Sequence, residues 1–169
     1  MPYPPVLAGD LITASLLTSL MPLEALKTAD ESRASSATMA NDAELSIPVV
    51  ANAKYQVQGY LIYSQNLAAS ATTGIKIGWS APTGASLLWT SGGTDGPTSL
   101  TGQDVTSQTI AATRSLPSNL GTFMTGIPFG TLTTVGAAGT FTLQWAQVAS
   151  NATPTIVRAS SWIRLRRVA

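Results

Sequence analysis

The sequence predicts an all-β fold: an antiparallel β-sandwich of jelly-roll type, preceded by an extended N-terminal arm and a short helix. Three observations carry this. Residues 55–63 alternate strictly, with Tyr55, Val57, Gly59, Leu61 and Tyr63 on one face and Gln56, Gln58, Tyr60 and Ile62 on the other. Period two over nine residues, rich in aromatic and β-branched types, marks a strand. The same style recurs downstream between Gly-, Pro- and Ser-rich breaks, and no helical period follows residue 40. Without crossover helices a parallel α/β sheet is excluded, and two packed antiparallel sheets are the common way to bury many short strands.

Taken in order, Pro2, Pro4 and Pro5 make residues 1–7 an extended arm, because proline offers a sheet no donor. Asp10 or Thr13 is placed to cap a short helix with Leu16, Leu17 and Leu20 as its apolar side, and Pro22 stops it. Residues 28–41 are small and polar and read as a linker, with room for a short strand near residues 37–39. The expected division is therefore an arm, helix and linker over residues 1–41 and a sandwich domain over residues 42–169. The apolar residues Leu45, Ile47, Val49 and Val50 precede a break at residues 51–53. Further strands are expected at residues 75–79, 86–90, 105–112, 121–132, 140–148 and 155–168, giving seven or eight in all. Residues 91–104 hold four glycines and a proline and read as a long surface loop.

Composition narrows the chemistry. Only 10% of the 169 residues are charged, against about 25% in ordinary soluble domains. The polar surface is built from Ser, Thr, Gln and Asn instead. The net charge of +1 conceals an asymmetry: all eight acidic residues lie within residues 1–104, while residues 105–169 hold five arginines and no acid. Either the two ends meet different partners, or the first and last strands come together and their charges pair. Five arginines without a dense cluster neutralise little phosphate charge, so no nucleic-acid partner is expected. Residues 1–23 lack an unbroken apolar span, so no membrane segment is expected.

The chain contains neither Cys nor His. Disulfides, thiolate nucleophiles and imidazole bases are thereby excluded, and no cofactor, metal or catalytic residue is expected. The serines have no G-x-S-x-G elbow and no evident base. Asp95 and Asp104 flank a stretch that reads as a turn rather than a calcium site. Trp79, Trp89, Trp145 and Trp162, with Tyr60 and Tyr63, could form a sugar-stacking platform. Trp79 and Trp145, however, alternate with other apolar residues and read as core. Trp162 shares its strand phase with Arg158, Arg164 and Arg166, which suits stacking on arginine at a subunit interface.

Three segments together resemble virion structural proteins of tailed bacteriophages, mostly those infecting actinobacteria. The first is Ala8, Gly9, Asp10, Leu11, Ile12, Thr13 and Ala14 with Leu16 and Leu17. The second runs from Asn41 through Leu45 and from Val50 to Tyr55, then through Gly59 to Tyr63, Ile75 to Trp79 and Ala81 to Ala85. The third is Leu143 to Gln147 with Val157 to Arg164. The resemblance implies a jelly-roll domain similar to tumour necrosis factor-like trimers, assembling as a homotrimer. Short members look like capsid decoration proteins that bind the major capsid protein on the outer shell of the virion. It also implies a docking arm, here Tyr3, Val6, Leu7, Leu11, Leu16, Leu17 and Leu20. The alternative is a minor tail module that contacts the host surface, with a saccharide as its ligand.

Overall fold

We describe a computed structural model of the chain, which covers residues 8–9, 11–14, 16–17, 21–92 and 106–169. Thirteen strands are present among these residues. They are β1 (Leu23–Leu26), β2 (Glu31–Arg33), β3 (Ala40–Val49), β4 (Lys54–Gln65), β5 (Ile75–Ser80), β6 (Ser86–Thr90) and β7 (Gln108–Thr109). They continue with β8 (Arg114–Leu116), β9 (Met124–Gly126), β10 (Phe129–Thr133), β11 (Gly139–Gln147), β12 (Thr155–Val157) and β13 (Trp162–Arg167). All pairings are antiparallel.

The larger sheet runs β1-β13-β4-β10-β6-β7, with β9, β12 and β2 attached around the second half of β4; the smaller runs β3-β11-β5-β8. The chain crosses repeatedly from one sheet to the other, so neighbours in a sheet are distant in sequence. The expected sandwich of jelly-roll type is thus the fold observed.

The core lies between the sheets. Tyr55, Val57, Leu61 and Tyr63 of β4 are all buried, as their alternation requires, and meet Leu45, Ile47 and Val49 of β3 and Ile75, Ile77 and Trp79 of β5. Trp79 stacks on Phe141 at 4.6 Å and meets Trp89 edge-on at 5.9 Å. The Trp79 indole N–H is buried without an oxygen acceptor.

Three expected strands are divided or displaced, each for a local reason. The stretch 121–132 breaks into β9 and β10 because Pro128 has no N–H for the ladder. Its carbonyl instead accepts Gly59 N–H at 2.8 Å. A side chain at Gly59 would stand 2.9 Å from the Pro128 ring, so only glycine lets the chain pass there. The stretch 155–168 breaks at a turn over residues 158–161, where Ser160 has a φ of 70°. The expected strand at 105–112 is reduced to β7, a two-residue pairing with β6.

The N-terminal division also differs. Residues 23–33, expected within an arm and linker, form β1 and β2, which pair with β13 and β12. The sheet structure therefore begins at Leu23, well ahead of residue 42. Upstream, Thr13 does cap a helical turn: its hydroxyl accepts Leu16 N–H at 3.1 Å and its carbonyl accepts Leu17 N–H at 3.0 Å. The expected loop over residues 91–104, with Asp95 and Asp104, lies almost wholly outside the described residues.

Candidate interaction face

The two outer faces of the sandwich differ in kind. The smaller sheet presents Asn41, Ser46, Gln144 and Lys76, with the buried Thr142 beside Ser46. It satisfies much of its own polarity: Ser46 and Thr142 hydroxyls lie 3.0 Å apart, and Gln144 Nε2 donates to Asn41 Oδ1 at 3.0 Å. The larger sheet presents big apolar groups instead.

Strand register places these groups in rows. Leu26, Trp162 and Tyr60 lie side by side across β1, β13 and β4. The next row reads Glu24, Arg164, Gln58, Phe129 and Thr90. The row after it contains Arg166, Gln56, Thr131 and Leu88. Leu26, Phe129 and Leu88 are 58%, 52% and 62% exposed. Residues on the solvent phase of a strand are ordinarily polar, so three large apolar groups on that phase form a patch that water does not favour.

The aromatic pair is ordered. Tyr60 and Trp162 stack with centroids 6.5 Å apart, and the Arg164 guanidinium lies 5.2 Å from the Trp162 ring. Arg164 Nε also stands 2.5 Å from Glu24 Oε1, although the alignment is not that of a hydrogen bond. Beside this pair is a groove of about 190 Å³ lined by Pro22, Gln56, Gln58, Arg164 and Arg166. Its walls can donate and accept hydrogen bonds. They contain no nucleophile with a base.

A buried charge cluster fixes the N-terminal side of this face. Lys27 is 1% exposed, and its Nζ donates to Glu31 Oε2 at 2.8 Å and to both Asp42 oxygens at 2.9 and 3.0 Å. Asp42 also accepts Trp145 Nε1–H at 3.0 Å and the N–H groups of Glu44 and Leu45. Arg33 lies over the Trp145 ring at 3.9 Å and bonds Glu31. Burial pushes the Glu31 carboxyl up, but Lys27, the Ala43 N–H and Arg33 outweigh it and hold it at about 2. Burial likewise opposes the Lys27 charge, and its carboxylate partners more than restore it, so its pKa is raised. The Lys27 backbone closes the 158–161 turn through Ser160 N–H to Lys27 O and Lys27 N–H to Ser161 O, both 2.8 Å. Segment 23–33 is thereby pinned to both sheets.

The expected interface residues separate into two groups. Trp162, Arg164 and Arg166 lie together on β13 and face outward. Arg158 does not join them: its guanidinium bonds Asp30 at 2.7 Å and Ser64, and covers the Phe123 ring at 4.7 Å. The Ala159 N–H and Arg158 together hold the Asp30 carboxyl below its usual range. Of the expected arm residues, Leu11 and Leu17 are 81% and 54% exposed, and Leu16 is half-buried. Tyr3, Val6, Leu7 and Leu20 lie outside the described residues. Trp79 and Trp145 are core, as expected, and so is Trp89. Leu26, Phe129 and Leu88 are not among the expected interface residues. The available signal was their phase, opposite to that of Leu87, Trp89 and Leu132. Among the described residues no group of three Asp or Glu side chains is placed to hold a metal ion.

No protein-family model matches the chain, and no curated protein matches it. Among solved structures, the tripod (BppUct-A-L) from the baseplate of bacteriophage Tuc2009 is similar at 11% identity and a TM-score of 0.39, over 95% of this chain and 71% of that one. Infectious bursal disease virus structures are also similar. The Gt strain structure gives 12% identity and a TM-score of 0.26, over 98% of this chain and 45% of that one. The D431N mutant VP2 protein in T=1 particles gives 12% and 0.28, over 99% and 45%. This chain spans under half the length of those two. These likenesses are loose, and the sandwich is established by its own two sheets.

Proposed function

We propose that this chain is a virion structural protein of a tailed bacteriophage, acting as a homotrimer that decorates the outer capsid shell and stabilises it. The observation that carries the reading is the unpartnered outer face of the larger sheet, with Leu26, Trp162, Tyr60, Phe129 and Leu88 across five strands. A second and third copy are its occupants. The patches differ at the two sides of the face: Leu26 beside the stacked Trp162 and Tyr60 at β1, β13 and β4, and Phe129 with Leu88 at β10 and β6. Unlike patches suit a head-to-tail contact that closes into a ring. Obligate contacts of this kind commonly bury more than about 2,000 Å² in total. The exposed Leu11 and Leu17 then belong to a segment that fastens the assembly to the major capsid protein. Several such segments on one ring attach it far more tightly than one would. The work is mechanical and has no catalytic step.

Light scattering tests the assembly. A particle three times the 17.4 kDa chain supports it. A stable monomer at micromolar concentration refutes it. Copy number per virion then tests location: hundreds of copies, in simple ratio to the major capsid protein, support the shell. A handful of copies supports the second reading, a tail module that contacts a host saccharide. The stacked Tyr60 and Trp162 beside the groove lined by Gln56 and Gln58 favour that reading, since sugar rings stack on aromatics and their hydroxyls bond amides. Under it, Trp162→Ala abolishes glycan binding and leaves the mass unchanged. Under the first, the same change shifts the mass toward the monomer.

A further inference from the structure

The described carboxylates are all engaged inside the chain. Glu24 faces Arg164, Asp30 faces Arg158, Glu31 bonds Lys27 and Arg33, and Asp42 bonds Lys27. Glu44 accepts Thr28 N–H and hydroxyl, with Lys27 at 3.7 Å. Two cations, Lys54 and Arg166, are not matched in the same way. Lys54 opens β4, and its backbone pairs with Val168 and Ala169. Arg166 and Arg167 stand opposite Gln56 and Tyr55 on the adjoining strand. Lys54 and Arg166 are exposed and have no ion-pair partner among the described residues. Lys54, Arg166 and Arg167 lie at one end of the sheet. Val50 and Val135, 47% and 48% exposed, sit at the same end. The N-terminal segment also leaves there, through Pro22 beside Arg166 and then Met21, which is 68% exposed.

We infer that this basic end is a docking surface for an acidic protein surface on the particle. The inference rests on the virion reading above and adds the chemistry of the partner. Charge complementarity selects an acidic partner, and the exposed Val50, Val135 and Met21 select a protein over a phosphate backbone. In a ring whose rotation axis runs along the strands, all copies point the same way, and their basic ends then form one crown on the side where Pro22 and Met21 lie. Cations concentrated on one side of an assembly steer it toward an acidic partner, in a manner that salt screens.

The test uses particles of the virus that encodes the chain. The variants are Lys54→Glu with Arg166→Glu, and Lys54→Glu alone. The single variant keeps the test open should the double variant, which alters the groove, stop self-associating. Expected results are a fall in copies per particle of at least about ten-fold for the double variant and a clear fall for the single one. Wild-type protein is also expected to bind at least about ten-fold more weakly when salt rises from about 0.05 M to about 0.5 M. Normal occupancy of Lys54→Glu, or wild-type binding unaffected by salt, overturns the inference and leaves the virion reading standing. Absence of the wild-type chain from particles overturns both.

Discussion

Replacing Lys27 by Met should be among the most damaging single changes in the protein. Its ammonium is buried and faces Asp42, whose side chain is wholly buried, and Glu31. Breaking a buried pair by removing one partner costs about 3–5 kcal/mol, because a charge is left uncompensated. Two features soften this. Asp42 keeps three donors, Trp145 Nε1–H and the Glu44 and Leu45 N–H groups, and the methionine chain fills the space of the lysine stem. We therefore expect a loss of about 3 kcal/mol, near the low end of that range. A domain of this size shifts by roughly 2–4 °C per kcal/mol, so the melting midpoint should fall by about 6–12 °C. Circular dichroism melts at one fixed protein concentration measure it. The double variant Lys27→Met with Asp42→Asn removes the stranded charge but keeps an oxygen for the indole. It should melt above the single variant. A loss below about 1 kcal/mol, or strictly additive losses in the two changes, would refute the account of the cluster as one coupled unit.

Three further outcomes are expected. Glu31 is depressed from an ordinary 4.5 to about 2, so its contribution is present above pH 4.5 and is lost as pH falls toward 2. Lys27 is raised above an ordinary 10.5, so its contribution is present below that pH and is lost above it. Urea midpoints measured across pH should show both limbs, and Glu31→Gln should flatten the acid one. Gly74→Ala should destabilise by at least about 3 kcal/mol, since φ is +106° and the new Cβ would stand 2.0 Å from Leu116 O. A chemical denaturation curve checks this, and an unchanged midpoint would contradict it. Phe129→Ser should weaken self-association at least ten-fold in sedimentation while leaving the monomer fold intact, because its side chain is half in water.

The strands that build the core were legible because burial on one face imposes alternation. Residues 55–63 kept that phase without exception, and Phe141, Leu143 and Trp145 did so in β11. What escaped was structure held by tertiary bonds. Leu23–Leu26 has no alternating pattern of burial and Glu31–Arg33 is too short for its alternation to mark a strand, while Lys27 and its carboxylates hold the segment in place between β13 and β12. A lysine in a polar stretch reads as surface, and nothing local indicates that residues 31 and 42 converge on it. The charge asymmetry carried a partial clue. Glu24 with Arg164 and Asp30 with Arg158 are the meeting of an acidic N-terminal region with a basic C-terminal one. Strand phase predicts that Trp162, Arg164 and Arg166 share one side of β13, and they do. Arg158 was misplaced because the Ser160 turn ends the phase that placed it beside them.

Single exposed apolar residues are common on monomers, and it is the contrast between the two outer faces that points to self-association. The outer face of the smaller sheet satisfies much of its own polarity, with the Ser46 and Thr142 hydroxyls and the Gln144 and Asn41 amides bonded in pairs. The outer face of the larger sheet breaks its own polar phase three times, at Leu26, Phe129 and Leu88, and does so on one contiguous surface. The same strands hold the segment that leads to the exposed leucines. A pull on that segment reaches β1, paired over four residues with β13, and then the Lys27 cluster behind it. The load therefore enters the edge of the face through which the copies are proposed to meet. A protein that holds two surfaces together needs that connection, and a domain that only binds a small ligand does not.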